Sequence, residues 1–189
     1  MLLYIHGFNS SAASFKARLL RAALAERQRE HEFVCPNLPP APAEAIAGLE
    51  RLIGRERPCL VGSSLGGFYA TWLAEKHGLP AVLVNPAIRP YRLLSGYVGR
   101  QKNLYTGAEY ELTQQHVDEL RALEPASITP ERYLLIVTTG DEVLDYREAV
   151  AMYHGAQRIV TSEPVGLFLK SSSKFGINGT ASGNSSLKK

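Results

Sequence analysis

The sequence is poor in residues that bind metal ions or form disulfide frameworks. It has only two cysteines, Cys35 and Cys59, and their separation fits neither a zinc motif nor a redox motif. Its five histidines are scattered, and no two of them have metal-ligand spacing. We therefore expect no metal site. The low cysteine usage favours a reducing, cytoplasmic setting.

Long apolar runs are also absent. Each run stops well short of about 18 residues, the length that suggests a membrane helix. Residues 1–5 are apolar, but they lack a basic start and lead directly to His6 and Gly7, so we do not interpret them as a signal peptide. We expect no membrane span.

The net charge of +3 does not indicate a nucleic-acid partner. Four lysines lie in residues 170–189, which hold no acidic residue, so the rest of the chain has one more acidic than basic residue. These last twenty residues are rich in serine, glycine and lysine, and we expect them to be a disordered tail.

Short apolar segments alternate with amphipathic helical segments along the chain. Strands are expected at 2–5, 33–35, 59–62, 81–84, 133–137 and 158–160, and helices near 12–28, 43–55, 65–77, 111–123 and 146–153. This alternation predicts an α/β fold with a parallel sheet and helices on both faces, forming a single domain over 1–169. The insertion at 88–130 is either a lid or pocket wall, or a plain helix-bearing crossover.

One segment has the pattern of a catalytic nucleophile. Residues 62–66 read GSSLG and match G-x-S-x-G, between a buried strand and an apolar-periodic helix. The tight turn of a nucleophile elbow would crowd side chains at Gly62 and Gly66, and both are glycine. Ser64 is therefore the candidate nucleophile. Ser63 lies off the pattern, and a glycine turn with a serine of no catalytic role is the alternative.

Other glycine-rich sites are excluded. The segment from 62 to 67 also fits G-x-x-x-x-G, but Phe68 and Tyr69 stand where a phosphate loop requires Lys and Ser or Thr. The sequence contains no G-x-G-x-x-G for a dinucleotide. We expect no cofactor.

Two backbone N–H groups are the candidate oxyanion donors. One belongs to Leu65, at the start of the helix, where the dipole favours negative charge. The other belongs to Phe8, in the loop after the first strand. His6, in the same loop, is expected to be structural, and Ser10, Ser11 and Ser14 are expected to cap the first helix.

Asp141 is the candidate catalytic acid, since in this order of elements the acid ends a strand after the insertion. Asp145 is the rival, further into the loop and helix. A turn or helix-cap role for Asp141 is the alternative.

These motifs together resemble the YqiA-like esterases, a small α/β-hydrolase family. The matching segments are LYIHGFNSS (3–11), PNLPP (36–40), VGSSLGGFYATWL (61–73), VNPA (84–87), YTG (105–107) and TGDEVLDYR (139–147). The resemblance covers residues 1 to about 160. It implies a three-layer α/β-hydrolase fold with a mostly parallel sheet, hydrolysis of carboxylic esters or acyl thioesters through an acyl-serine intermediate, and Ser64 and Asp141 as triad members.

The residues after about 160 do not match this family, so the fold is expected to be C-terminally incomplete. Family members have a glycine-rich loop with the triad histidine after the last strand, and its position corresponds to about residue 166. Residues 161–170 read TSEPVGLFLK, without a histidine. His154 is the only histidine after Asp141, and about nine helical residues at ~1.5 Å each place it ~13 Å from the catalytic edge. We therefore identify no catalytic histidine.

Two functions remain open from the sequence. The first is a serine esterase acting on a small acyl ester or thioester, impaired by the missing base. The second is a non-catalytic α/β-hydrolase-fold protein that binds a small acyl ligand. Arg89, Arg92, Arg100 and Lys102 could contact an anionic substrate group or be a solvated face. The oligomeric state is not predicted.

Overall fold

Residues 1–54, 56–141 and 143–163 are described by a computed structural model, and within them six strands form a central parallel sheet. These strands are β1 (Leu2–Ile5), β2 (Phe33–Val34), β3 (Cys59–Ser64), β4 (Ala81–Pro86), β7 (Tyr133–Thr138) and β8 (Gln157–Thr161). Their order is β2-β1-β3-β4-β7-β8, and every neighbouring pair is parallel. The predicted α/β class and parallel sheet are confirmed.

The described ranges also contain six α-helices. These are α1 (Phe15–Ala25), α2 (Pro42–Ile53), α3 (Leu65–His77), α4 (Pro90–Leu94), α5 (Gln114–Ala122) and α6 (Tyr146–Met152). The helix expected near 12–28 is shorter at both ends and is present as α1. Its start is limited by Ser14, which has an extended ψ of 151°, and its continuation is limited by Gln28, which has a φ of 59°. No helix in the described ranges has the length and apolar character that a membrane crossing requires.

Side chains alternate between the two faces of the sheet and pack against helices on both. On one face Leu3, Leu60 and Leu83 join a large core with α2, α3 and α5. On the other face Tyr4 and Val61 form a smaller cluster that includes α1. The expected helices on both faces are therefore present. Residues 164–169 and the tail predicted at 170–189 lie outside the described residues.

The position of β3 in the sheet determines where the site lies. Because β3 pairs with β1 on one side and β4 on the other, the loops that follow these three parallel strands meet at one edge. The strand β7 adjoins β4, so the loop after β7 joins the same edge. The segments after 5, 64, 86 and 138 are thereby brought together.

The insertion at 88–130 is more structured than the sequence predicts. The expected helix is present as α5, but α4 and an antiparallel hairpin of β5 (Gly99–Lys102) and β6 (Glu109–Leu112) were not predicted. The hairpin strands read GRQK and EYEL, and Leu112 is their only buried residue. Such mostly polar strands lack the apolar alternation by which a strand is recognised.

Glu75 of α3 joins this helix to the chain entering β7. Its carboxylate accepts hydrogen bonds from Thr129 N and Thr129 Oγ1, both at 2.8 Å, and from Tyr133 Oη at 2.6 Å. It also forms an ion pair with Arg132 Nη1 at 2.8 Å. Burial raises the pKa of Glu75, but the hydrogen bonds and the Arg132 charge outweigh it, so the pKa is lowered overall.

Replacing Glu75 is therefore expected to cost stability in a pH-dependent way. Glu75→Gln should lower the free energy of unfolding at pH 7 by ~1–3 kcal/mol, because it removes hydrogen bonds to a charged group. A lowered folded-state pKa stabilises the fold above the unfolded-state pKa, and this contribution disappears as the pH falls through the folded-state value. Urea unfolding of both proteins should thus converge in acid. Glu131→Gln, at an exposed neighbour, is the control; a pH-independent difference would contradict the prediction.

Candidate active site

Ser64 lies at a sharp turn between β3 and α3. It is the last residue of the strand and the residue before the helix, with φ 53° and ψ −123°. A non-glycine residue rarely adopts this positive φ, and such strain persists only where the surrounding structure imposes it. Its backbone therefore has the conformation that a nucleophile elbow requires.

The elbow depends on direct contact between backbone segments. A Cβ on Gly66 would overlap the carbonyl oxygen of Ile5, at the end of β1. A Cβ on Gly62 would overlap the carbonyl oxygen of Gly66, and one on Gly67 would lie 2.7 Å from Pro86 Cβ. The glycines thus allow the first turn of α3 to pack against β1, β3 and β4 at the same time.

Asp141 lies three residues after the end of β7, and its carboxylate has three hydrogen-bond donors. Oδ2 accepts from Asn85 Nδ2 at 2.7 Å, and Oδ1 accepts from the backbone N–H groups of Val143 and Leu144, both at 3.0 Å. The rival Asp145 caps α6, because its side chain accepts a hydrogen bond from Arg147 N at 2.9 Å. The carboxylate of Asp141 is therefore held in place from two sides.

Asn85 is a site residue to which the sequence assigned no role. It lies near the end of β4 with a φ of 42° and is 9 % exposed. Its Nδ2 donates to Asp141 and to Thr138 Oγ1, and its Oδ1 accepts from Thr138 N at 2.9 Å. Asn85 therefore links the ends of β4 and β7 and orients Asp141. The sequence signal that could have identified Asn85 was a polar residue near the end of a buried strand.

The loop after β1 approaches the nucleophile closely. A Cβ on Gly7 would lie 3.2 Å from Ser64 Cβ and 3.3 Å from Ser63 O. Phe8 follows in this loop, and Leu65 begins α3 directly after Ser64. Both residues line the cavity that contains Ser64, so the two predicted oxyanion donors belong to segments next to the serine.

His6 anchors this loop, as expected of a structural residue. Its Nε2 accepts a hydrogen bond from Leu38 N at 3.1 Å, and its Nδ1 lies 3.0 Å from Gly7 O. Burial lowers the pKa of His6, so the neutral ring is favoured. Both ring nitrogens are thus engaged in holding the loop. The expected capping is wrong for Ser14, whose hydroxyl caps nothing.

The hairpin of the insertion also holds the loop after β1. Tyr110 Oη donates to Asn9 Oδ1 at 2.7 Å, and Leu104 N donates to Asn9 O at 3.1 Å. Asn103 Nδ2 donates to Ser10 O at 2.8 Å. Asn9 itself has a φ of 50°. The insertion therefore braces the segment that carries Phe8.

An apolar cavity of 550 Å³ opens beside Ser64. Its apolar lining comes from the oxyanion loop, from the insertion and from the loop after β7, and includes Phe8, Ile88, Leu94, Leu104 and Leu144. We call it the apolar cavity. Several residues between 88 and 104, within the insertion, belong to its lining. A role of the insertion as a lid or pocket wall stays a prediction.

No histidine is in hydrogen-bond contact with Ser64 in the described part of the chain. His154 is exposed in the turn after α6. His77 contacts the Glu50 carboxylate, and His116 forms the capping box with Thr113 at the start of α5. The position expected for the triad histidine, near 166, lies outside the described residues. Within those same residues, no three His, Cys, Asp or Glu side chains form a group that could hold a metal ion.

The backbone contact at Gly66 can be tested by stability. Gly66→Ala is expected to lower the free energy of unfolding by ~2 kcal/mol or more, because overpacking at a rigid backbone contact is not relieved by side-chain movement. Gly96→Ala is the matched control, since a Cβ there meets nothing within 4 Å. Denaturant unfolding measures both, and equal effects of the two substitutions would contradict the described packing.

The Asn85–Asp141 contact can be tested by titration. Asn85→Asp places a second carboxyl next to Asp141, and two carboxylates at hydrogen-bond distance resist ionising together. We expect a raised pKa for one carboxyl of this pair, seen by ¹³C NMR. A raised folded-state pKa means that stability is lost as the pH increases through it.

Asn37→Asp is the control for this titration, because Asn37 is exposed and its side-chain oxygen already accepts a hydrogen bond from the backbone N–H of Ala12 at 2.9 Å. Its carboxyl should titrate at or below the ordinary range. If both carboxyls of the Asn85→Asp pair titrated in that range, the described contact would be wrong.

Comparisons with solved structures show the fold. The chain is similar to alpha/beta hydrolase domain-containing protein 10 from mouse, with a TM-score of 0.61 and 11 % identity over 92 % of this chain and 88 % of that one. It is also similar to a monoacylglycerol lipase from Paleococcus ferrophilus, with a TM-score of 0.62 and 14 % identity over 92 % of each chain. The fold is therefore that of the α/β hydrolases, as expected.

Comparisons of sequence show the family. The UPF0227 protein YcfP of Salmonella gallinarum is 22 % identical over 173 residues, which cover 86 % of this chain and 87 % of that protein. The profile of the family described as "Uncharacterised protein family (UPF0227)" matches residues 1–172, further than the expected limit near 160. Because this match spans most of the sequence, the chain belongs to the UPF0227 family.

Proposed function

We propose that this chain is a serine hydrolase of carboxylic esters or acyl thioesters, with Ser64 as the nucleophile. The observation that carries the proposal is the positive φ of Ser64 in a glycine-lined turn beside an apolar cavity. Strained backbone at a cavity is a common feature of active sites. Similarity to a monoacylglycerol lipase, whose name denotes an ester substrate, adds support.

The proposed reaction proceeds through an acyl-serine. Ser64 Oγ attacks the carbonyl carbon, and the oxygen that becomes negative is stabilised by the N–H groups of Leu65 and Phe8. Loss of one such donor typically raises a barrier by about 2.7–4 kcal/mol. The tetrahedral intermediate collapses, the alcohol or thiol leaves with a proton, and water then hydrolyses the acyl-serine. The apolar cavity would hold the acyl chain.

Asp141 is proposed as the acid of the site, and Asn85 as its positioning residue. In a complete triad the acid orients a histidine that takes the serine proton. This sequence has no histidine after His154, so that role has no candidate. Without it, oxyanion stabilisation and binding alone leave a rate effect of about 10³–10⁴ over water. We therefore propose a slow hydrolase.

The two cysteines do not compete with Ser64 as nucleophiles. Both are free, and burial raises the pKa of Cys35 to about 11 and also raises that of Cys59. A thiol with a raised pKa holds little thiolate at neutral pH, so it reacts slowly. Free thiols also agree with the proposed cytoplasmic setting.

A second function is favoured by the missing histidine. In this second function the apolar cavity binds a small acyl ligand without hydrolysing it, and Ser64 is only a structural residue of the turn. The two functions differ in whether Ser64 reacts with an electrophile, because a binding protein does not need an activated serine.

The test is labelling of the full chain by a fluorophosphonate, together with hydrolysis of p-nitrophenyl butyrate. We expect labelling at Ser64 and slow hydrolysis, and both should be lost in Ser64→Ala. Ser127→Ala is the control; Ser127 is exposed and lies outside the apolar cavity, so the variant should still be labelled. An unlabelled chain whose hydrolysis equals that of Ser64→Ala would favour the binding function.

A further inference from the structure

A second cavity adjoins Ser64 on the side of α1. It measures 300 Å³, and its lining includes Tyr4, Ser14, Lys16, Ser63, Ser64 and Tyr105. We call it the Lys16 cavity. It shares Ser64 and Phe8 with the apolar cavity, so the two cavities adjoin at the nucleophile. The lining of the apolar cavity includes charges of both signs, from Arg89, Arg92, Asp145 and Glu148, whereas the described lining of the Lys16 cavity contains one cation, several hydroxyl groups and no carboxylate.

Lys16 carries a charge that is only partly compensated. Its Nζ donates to Ser63 Oγ at 3.1 Å, and no carboxylate of the described residues lies within ion-pair distance of it. Burial lowers the pKa of Lys16, and the more distant charge of Asp141 opposes this shift. A partly buried ammonium without a close counter-ion is costly, and a bound anion would offset that cost.

Ser14 supplies a buried hydroxyl. The residue is 6 % exposed, and its Oγ makes no hydrogen bond of good geometry among the described residues, although it lies close enough to Tyr4 to oppose the rise in the pKa of that phenol. It lies at the N-cap of α1, but its side chain makes no capping bond, and the first turn of this eleven-residue helix contains no acidic residue. Helix N-termini attract anions, since their N–H groups and dipole present positive charge.

The other hydroxyl groups of the cavity can donate to an anion. Burial raises the pKa of Tyr4 to about 12 against the opposing effect of the nearby Ser63 and Ser14 hydroxyls, so this phenol stays protonated at neutral pH. Ser63 is buried and accepts a hydrogen bond from Lys16, and its own proton can be donated to Tyr4 or to a bound anion. An ammonium, three hydroxyl groups and a helix N-terminus therefore surround one space beside the nucleophile.

We propose that the Lys16 cavity binds an anionic group, a carboxylate or phosphate, that is part of the ester or thioester substrate. This inference rests on the proposed function and specifies its substrate class. The substrate has an apolar acyl part in the apolar cavity, its carbonyl at Ser64, and a negative charge near Lys16. Of the cations that the sequence offered for such a group, Arg89 is paired with Glu124.

The experiment compares two anions binding to the full chain by calorimetry. Inorganic phosphate tests the charge alone, and hexyl phosphate adds an apolar chain that reaches the adjoining cavity. We expect hexyl phosphate to bind about tenfold more tightly or better, because it also buries apolar surface. Lys16→Met should weaken its binding about tenfold through loss of a charge-assisted contact. Lys102→Met, at an exposed lysine outside the cavity, should change nothing.

Ser14→Ala is the second variant, and it tests anion binding in the Lys16 cavity if Lys16→Met does not fold. This hydroxyl makes no capping bond to α1, so its removal should leave the fold intact and weaken hexyl phosphate binding about threefold. Unchanged affinity in the folded Lys16 and Ser14 variants would overturn the inference. Equal affinity for both phosphates would also overturn it, since that result describes a site for free phosphate.

Failure of the proposed function would give a different result. Labelling by the fluorophosphonate and binding of hexyl phosphate are measured separately on the unmodified chain, so either can fail without the other. A chain that binds hexyl phosphate through Lys16 but is not labelled by a fluorophosphonate would therefore contradict the esterase and retain the anion site.

Discussion

The packing of α3 against the end of β1 is the contact on which the rest of the site depends. The backbone of Gly66 touches the carbonyl of Ile5 with no room for a side chain between them. This contact lies directly beside the positive φ of Ser64 and allows the loop after β1 to approach the serine. Together with the strand order, it places the nucleophile, the two candidate oxyanion donors and the cavities on either side at one edge of the sheet.

A polar network at the neighbouring strand ends complements this backbone contact. Asn85 joins β4 to β7 through Thr138 and holds Asp141, while His6 and the hairpin hold the loop that carries Phe8. Each loop is thus fixed by hydrogen bonds from a different part of the chain. Such bracing allows a site built on loops to keep its geometry.

Many features of the molecule follow from local sequence patterns. Apolar strands such as β3 and β4 are recognisable as short apolar runs, because their side chains are mostly buried on both faces. The helix α3 is recognisable as a longer apolar segment that begins after the glycine turn and ends at Gly78. The turn at 62–66 is recognisable because only glycine fits its contacts. The hairpin was missed because its strands are polar and nearly exposed, so no periodicity marks them.

By itself, the sequence determined the α/β alternation, the serine in its glycine turn, the acid after a strand and the absence of a histidine beyond 154, because each is a matter of residue type and spacing. Only the tertiary structure decided that Asn85 holds Asp141 and that Lys16 lies beside Ser63. Those pairs are 56 and 47 positions apart along the chain. Contacts of that kind depend on the order of strands in the sheet, which local periodicity does not encode.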